Sequence, residues 1–259
     1  MYLRKADKHK NNAPSTEGKG CLEYYMTKAI LFDLDGTLLP MDQEVFVRDY
    51  LGRMAKFLAP HGYDPESLMK ALWAGIGAMV KNDGGATNED TFWRSFDAAI
   101  GKNARQDEAL FTQFYTDIFP QSRDSCGFNP AAAEAIREIK AMGYRVVLAT
   151  NPLFPAIATR SRIRWAGLNP ENFELVTTYE NSHYCKPNPD YYREILGKLS
   201  LDGSQCLMVG NDVGEDMIAG ILGMKVFLLT DCLINSAGGD ISVYPNGSFP
   251  ELLHYIRSL

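Results

Sequence analysis

The sequence of 259 residues contains few cysteines and few histidines, and neither type forms a disulfide or zinc-binding pattern. The five cysteines are widely separated and include no CxxC pair, which argues against the dense disulfide framework of small secreted proteins. The four histidines include no HxxxH pair, which argues against a zinc site. We therefore predict a reducing, cytoplasmic location and expect oxygen atoms to hold any metal ion. These residues are Cys21, Cys126, Cys185, Cys206, Cys232, His9, His61, His183 and His254.

The sequence also lacks an excess of positive charge and a long apolar segment. Its formal net charge is -6, so it offers no basic field for nucleic acid, and we predict no nucleic-acid partner. The basic, polar residues 1–20 lead into no apolar signal-peptide core, and no later segment resembles a membrane span, so we predict no membrane partner. Periodic sequence begins near Met26. We predict that residues 1–25 are a disordered extension, or residues that precede the true start of the chain.

The residues that are abundant indicate a globular protein built from alternating helices and strands. Hydrophobic residues make up 46% of the chain and charged residues 22%, which is ordinary for a folded domain. The alternation predicts an α/β fold, a Rossmann-like doubly wound parallel sheet with the carboxyl ends of its strands at one edge. The predicted strands are 29–32, 144–149, 173–177, 206–209 and 225–229, and the predicted helices are 131–142, 155–166, 189–199 and 214–222. Residues 232–248 are predicted to be a surface loop without function.

The segment from about residue 41 to residue 125 has a different pattern. Its apolar residues recur at helical spacing, as in Val45-Phe46 with Tyr50-Leu51, and no strand-like alternation of useful length occurs. We therefore predict a helical insertion at 41–125 between two parts of the core, 26–40 and 126–259.

The sharpest chemical signal is Asp33-Leu34-Asp35-Gly36-Thr37, which follows an apolar run. Two carboxylates separated by one residue just past a buried strand can both face a ligand, and such crowding calls for a compensating cation. The simpler alternative is a solvated acidic turn in which Gly36 supplies the backbone freedom.

Three further patterns follow, and each alone has an ordinary structural explanation. Thr150 and Asn151 follow the second predicted core strand and could bind an anion, but they could also form a turn or helix cap. Lys186 precedes a proline-rich segment that would fix its backbone, although most loop lysines are merely solvated. Asp212 and Asp216 follow another apolar strand, where a metal site and a capped helix are both plausible.

In this order the four elements resemble the four motifs of the haloacid dehalogenase superfamily, over residues 29–230. The helical insertion is similar to that superfamily's cap. The resemblance implies that Asp33 attacks phosphorus and forms an aspartyl-phosphate. It implies that Asp35 protonates the leaving group and then deprotonates the attacking water.

The resemblance also implies a cofactor, Mg²⁺, and a set of residues around the phosphate. The metal ligands would be the side chains of Asp33 and Asp212 and the backbone carbonyl of Asp35. The phosphoryl oxygens would contact Thr150, Asn151 and Lys186, and Asp216 would orient Lys186 or a metal-bound water.

We therefore predict a Mg²⁺-dependent phosphatase acting on a small phosphorylated metabolite. The presence of Asp35 favours a phosphatase over a dehalogenase. A phosphatase uses an acid to protonate the departing alkoxide, whereas displacement of a halide has no alkoxide to protonate. A phosphomutase of the β-phosphoglucomutase type shares all these residues and is the nearest alternative. A non-catalytic phosphoester-binding protein on the same fold is less favoured, since every catalytic position is filled. The sequence predicts neither the substrate nor the oligomeric state.

Three arginines, Arg160, Arg162 and Arg164, cluster after Asn151. They could steer a phosphorylated substrate towards the site. A solvated helix face is the favoured interpretation.

Overall fold

Five parallel strands form the central sheet of the computed structural model, which describes residues 26–259. The strands are β1 (Ala29–Phe32), β2 (Arg145–Leu148), β3 (Cys206–Gly210), β4 (Lys225–Leu229) and β5 (Asn246–Gly247). Their order in the sheet is β2-β1-β3-β4-β5, and every neighbouring pair is parallel. The predicted parallel α/β fold is confirmed. The extension predicted at 1–25 lies outside the described residues.

Helices surround this sheet and account for most of the remaining secondary structure. The α-helices of residues 26–259 are α1 (Gln43–Leu58), α2 (Pro65–Val80), α3 (Asn88–Ile100), α4 (Glu108–Gln113), α5 (Pro130–Ala141), α6 (Ala156–Trp165), α7 (Pro189–Leu199) and α8 (Phe249–Arg257). A π-helical turn and a 3-10 segment follow α4 at Phe114–Ile118 and Phe119–Ser125. Within the described part of the chain, none of the helices combines the length and apolar character that crossing a membrane requires.

The side chains of β1 alternate between two hydrophobic cores, one on each face of the sheet. Ile30 and Phe32 join the core that α5, α6 and α8 cover. Ala29 and Leu31 join the opposite core, which α7 covers. All four side chains are fully buried, as a central parallel strand requires. The sheet is therefore covered on both faces, and only its strand ends are free to build a site.

Three of the predicted elements differ from those observed. The strand predicted at 173–177 is reduced to one isolated bridge between Leu148 and Val176. The helix predicted at 214–222 is a 3-10 helix over Met217–Leu222. The loop predicted at 232–248 contains β5, which has only two residues, Asn and Gly, and so carries no apolar run that the sequence could reveal.

Residues 43–125, from α1 to the 3-10 segment after α4, are called the helical segment, and the remaining described residues are called the sheet domain. The helical segment packs on the sheet domain through aromatic side chains. The ring of Phe119 stacks on Trp165 of α6 at 5.1 Å, and the ring of Tyr50 lies 5.4 Å from Phe154. One hydrophobic cluster runs from these helices into the sheet domain. The boundaries of a separate inserted domain at residues 41 and 125 therefore stay a prediction.

Asn88, the first residue of α3, ties the helical segment to two loops of the sheet domain. Its side chain is fully buried, and its Nδ2 donates to the carbonyl oxygens of Pro152 at 3.4 Å and Tyr184 at 3.3 Å. Its backbone N–H donates to the carbonyl of Ser182 at 2.8 Å. The Oδ1 atom accepts a hydrogen bond from Asn82 Nδ2 at 2.8 Å. A single buried amide thus joins the loops that follow Asn151 and precede Lys186.

Replacing Asn88 with alanine should destabilise the protein. The change removes a hydrogen-bond partner from the side-chain amide of Asn82 and from the carbonyls of Pro152 and Tyr184. Leaving buried polar groups without a partner costs about 1–3 kcal/mol. Urea unfolding would measure the loss. The matched control is Asn103→Ala at an exposed position, which should change the free energy of unfolding by less than about 0.5 kcal/mol. Equal stability of the two variants would contradict the role of Asn88.

Candidate active site

The carboxyl ends of three neighbouring strands bring the predicted site residues to one edge of the sheet. Asp33 follows β1 directly, Thr150 lies two residues after β2, and Asp212 lies two residues after β3. Because β1 pairs with both β2 and β3, the loops after the three strands adjoin. Sheet topology alone therefore brings Asp33 close to residues more than a hundred positions later in the chain.

Lys186 joins two of these loops by direct ion pairs. Its Nζ lies 2.8 Å from Oδ1 of Asp33 and 2.6 Å from Oδ1 of Asp216. The lysine side chain is completely buried, and the two carboxylates are nearly so. Burial by itself would lower the pKa of Lys186, but the carboxylates of Asp216 and Asp33 raise it well above its ordinary value. The ammonium group therefore stays charged at the end of β1.

Both carboxylate oxygens of Asp216 accept hydrogen bonds that hold the side chain in place. Oδ1 meets Lys186, and Oδ2 accepts the backbone N–H of Asp212 at 3.0 Å. Burial raises the pKa of Asp216 to about 6, while the charge of Lys186 opposes that rise. A Cβ atom at Gly210 would lie 2.0 Å from Asp216 Oδ2, so the carboxylate occupies space that only glycine leaves open at that position.

Asp35 has a different cationic partner, Arg162 of α6. The Oδ2 atom of Asp35 accepts a hydrogen bond from Nη1 of Arg162. Burial raises the pKa of Asp35, the Arg162 guanidinium opposes the rise, and the nearby Asp33 adds to it. The arginine side chain is fully buried, so the predicted solvated face is wrong for Arg162. It holds for Arg160 and Arg164, which are exposed.

Helix geometry could have revealed this difference between the three arginines. Residues two apart on a helix point in nearly opposite directions, whereas residues four apart share a face. Arg160 and Arg164 therefore share one face, and Arg162 must point away from it. The direction of the Arg162 side chain on the helix, rather than its chemical type, distinguishes it from the other two arginines.

Gly36 and Thr37 complete the loop after β1. The hydroxyl of Thr37 lies 2.8 Å from Oδ1 of Asn211 and 3.2 Å from Oδ2 of Asp33. Gly36 has a φ of 89°, and a Cβ atom there would lie 2.4 Å from Asn211 Nδ2. Sequence reasoning assigned no role to Thr37 or Asn211. Their contacts connect the ends of β1 and β3 and orient one oxygen of Asp33.

Asn151 uses its side chain to join loops of the site. Its Nδ2 donates to Oε1 and Oε2 of Glu215 at 3.2 and 3.1 Å, and its Oδ1 accepts the backbone N–H of Lys186 at 3.3 Å. A phosphate contact at this position would therefore come from the backbone N–H. Burial raises the pKa of Glu215 to about 7, and the charge of Lys186 opposes the rise. Sequence reasoning did not place Glu215 in the site.

The donor atoms at this edge suit a hard cation. Asp212 is held by the backbone N–H groups of Gly214 and Glu215, which donate to its Oδ1 at 2.7 and 3.0 Å. Within residues 26–259, no three His, Cys, Asp or Glu side chains are grouped to hold a metal by themselves, whereas the predicted set combines two carboxylates with a backbone carbonyl. Acidic groups outnumber basic ones here, which favours an added cation. They are Asp33, Asp35, Asp212, Glu215 and Asp216, against Lys186 and Arg162.

A cavity of about 540 Å³ lies between the helical segment and α6. Leu153 and Pro155 in its wall belong to the loop after Asn151. The exposed Arg160 and Arg164 of α6 also line it, and Trp93 of α3 contributes from the helical segment. The cavity therefore adjoins the loop that follows β2.

Comparison with known proteins gives three kinds of match. A sequence model of the haloacid dehalogenase-like hydrolases matches residues 27–222. Pyrophosphatase PpaX of Bacillus velezensis is 24% identical over 192 residues, which cover 74% of this chain and 77% of that protein. The solved structure of a HAD phosphatase from Thermococcus onnurineus has a TM-score of 0.55 and 19% identity, covering 89% of this chain and 98% of that one. A 2-haloacid dehalogenase from Pseudomonas syringae pv. Tomato DC3000 has a TM-score of 0.55 and 20% identity, covering 90% and 99%. At these identities the two structures indicate a shared fold alone.

The raised pKa of Glu215 predicts a specific dependence of stability on pH. The folded pKa of about 7 exceeds the ordinary value of 4.5, so the folded protein binds more protons than the unfolded chain between these values. The protonated carboxyl stabilises the fold fully below 4.5, and this contribution is lost as pH rises through about 7. Glu215→Gln keeps a neutral group at every pH. It should match the wild type near pH 4.5 and be more stable by on the order of 1–3 kcal/mol near pH 8.

Urea unfolding in the presence of a chelator would measure both proteins at the two pH values. The control is Asn103→Ala, an exposed side chain that does not titrate, whose effect on stability should be the same at both pH values. An unchanged difference between wild type and Glu215→Gln across this range would contradict a raised pKa for Glu215 in the folded protein.

Proposed function

Since the chain belongs to the haloacid dehalogenase-like hydrolase family, as its four motifs predicted, we propose that it is a Mg²⁺-dependent phosphatase of a small phosphorylated metabolite. The observation that carries the proposal is the pair of contacts from Lys186 Nζ to Asp33 and Asp216. These contacts put a fixed cation beside the carboxylate that the family uses as its nucleophile. The name of the relative PpaX, a pyrophosphatase, supports a reaction at a phosphoryl group.

Electrostatics explains why this cation supports phosphoryl transfer. A carboxylate that approaches a phosphate dianion is repelled by roughly 1 kcal/mol per pair of charges at about 4 Å, even in water. Repulsion is larger in a closed site. The charge of Lys186 lies where it can offset that repulsion for Asp33 and can also bind a phosphoryl oxygen.

In the first step an oxygen of Asp33 forms a bond to phosphorus while the bond from phosphorus to the leaving oxygen breaks. Asp35 gives its proton to that leaving oxygen. In the second step water attacks phosphorus, Asp35 takes a proton from that water, and the bond between Asp33 and phosphorus breaks. The enzyme returns to its starting state with inorganic phosphate released.

The side chains of Asp33 and Asp212 and the carbonyl of Asp35 would hold Mg²⁺ at this edge. When bound, the ion would supply positive charge to the phosphoryl oxygens and make phosphorus easier to attack. Thr150, the backbone N–H groups near Asn151 and Lys186 would bind the remaining phosphoryl oxygens. Asp216 would keep Lys186 in place.

Asp35 favours a phosphatase over a dehalogenase, because a departing halide needs no proton. Its partly buried setting and raised pKa suit a group that carries a proton to an alkoxide. A phosphomutase would use the same residues but return the phosphoryl group to the sugar. Labelled phosphate separates the two, since a phosphatase releases the label as inorganic phosphate and a mutase retains it on the sugar.

Asp33→Asn should abolish turnover, because the amide cannot form the aspartyl-phosphate. We expect a loss of at least roughly 1,000-fold in kcat for 4-nitrophenyl phosphate and for any ester found active in a panel of phosphorylated metabolites. The matched control is Asp117→Asn at an exposed position on the helical segment, which should retain activity. Turnover by Asp33→Asn at the wild-type rate would rule out this nucleophile.

Excess chelator should also abolish turnover, and added Mg²⁺ should restore it. Without a divalent cation, several carboxylates face the phosphate with too little opposing charge. Asp212→Asn should raise the Mg²⁺ concentration that gives half-maximal activity. Hydrolysis at an unchanged rate in excess chelator would count against a metal-dependent mechanism.

A further inference from the structure

The fully buried guanidinium of Arg162 is unusual, because arginine is almost never fully buried unless it is paired. Its Nη1 binds Oδ2 of Asp35, and its Nη2 lies 3.3 Å from the hydroxyl of Thr159. The guanidinium carbon lies 4.1 Å above the ring of Phe154. Within the described residues its Nε atom has no hydrogen-bond partner, so the group is not satisfied by its surroundings alone. A buried positive charge of this kind needs a compensating acidic group, which here is Asp35.

The two oxygens of that partner, Asp35, have different surroundings. Oδ2 is held by Arg162. Oδ1 is shielded from solvent and has no hydrogen-bond partner among residues 26–259. An unpaired acceptor that is closed off from solvent is costly. The contact with Arg162 at Oδ2 is therefore the hydrogen bond that sets the orientation of this carboxyl group within the described residues.

We propose that Arg162 is a positioning residue for Asp35: it fixes the orientation of the carboxyl group through its contact with Oδ2. The inference rests on the proposed phosphatase function. In that function the carboxyl group of Asp35 gives its proton to the leaving oxygen as the bond from phosphorus to that oxygen breaks and the bond from Asp33 to phosphorus forms. The carboxylate then takes a proton from the water that attacks phosphorus as the bond from Asp33 to phosphorus breaks.

Two neighbours hold the guanidinium in the orientation that this role needs. The ring of Phe154 lies below its central carbon, and the hydroxyl of Thr159 contacts Nη2. These contacts restrain both the tilt and the rotation of the group. A lysine could supply the charge but lacks the planar fork that such a setting orients. Arg162→Lys should therefore keep the positive charge but no longer hold Asp35 in position.

The dependence of rate on the leaving group tests this role directly. General-acid help matters most for a poor leaving group, such as an alkyl alcohol, and little for 4-nitrophenol. The value of kcat/KM reports the steps up to departure of the alcohol. Arg162→Met should lower kcat/KM by roughly 100-fold for an alkyl phosphate and by less than roughly tenfold for 4-nitrophenyl phosphate. Arg162→Lys should show the same selective loss, to a smaller extent.

A double variant tests whether the loss passes through Asp35. Asp35→Asn alone should show the same leaving-group selectivity as Arg162→Met. Adding Arg162→Met to Asp35→Asn should cause no further selective loss, because the group being positioned is already absent. A further selective loss in the double variant would show that Arg162 acts without Asp35, and would overturn the proposal.

A structural control separates positioning from packing. Ile163→Val changes the fully buried residue next to Arg162 on α6 and should lower the melting temperature without changing the leaving-group dependence. If Arg162→Met and Arg162→Lys instead lower kcat/KM equally for all esters, or not at all, Arg162 does not position Asp35. If the wild type shows no Asp33-dependent hydrolysis of any ester, the proposed function fails and the inference fails with it. Arg162→Lys keeps the buried charge, so the comparison survives if Arg162→Met does not fold.

Discussion

The ion pairs of Lys186 with Asp33 and Asp216 are the interaction on which the rest of the site depends. All three groups are withdrawn from water, so each would leave an uncompensated buried charge without the others. Breaking a buried pair by removing one partner typically costs about 3–5 kcal/mol. Removing Lys186 from between the loops after β1 and β3 would therefore destabilise the fold. The parallel order β2-β1-β3 makes these contacts possible, because it places the ends of these strands side by side.

Much of this arrangement could be predicted from the sequence, because it depends on strand ends. Apolar runs that stop at Asp33 and before Asp212 fix where two loops begin, and parallel strands bring such loops to one edge. Lys186 could be selected because it precedes a proline-rich segment, although its two partners could not be derived from spacing. β5 could not be found, since its pairing depends on backbone atoms next to β4 rather than on apolar side chains. The partly buried setting of Glu215 also depends on the packed structure.

Arg162 illustrates a different limit of sequence reasoning. A cluster of arginines suggests a solvated surface, and composition gives no reason to separate one from its neighbours. The direction of each side chain on α6 separates them, but it cannot name the partner. That partner, Asp35, lies 127 positions earlier in the chain. The cavity beside α6 shows the same limit, because the contacts of the helices that line it have no short-range signature in the sequence.

The two carboxylates of the first motif, Asp33 and Asp35, contact different cations. Asp33 contacts the ammonium group of Lys186, and Asp35 contacts the guanidinium of Arg162. Arg162 in turn lies against Phe154, whose ring lies 5.4 Å from Tyr50 of the helical segment. The packing of the helical segment thus reaches Asp35 through two aromatic rings and one guanidinium. A second route leads from the helical segment to Asp33, because Nδ2 of Asn88 donates to the carbonyl of Tyr184 in the loop that carries Lys186. Both carboxylates of the first motif are therefore connected to the helices, each through its own cation.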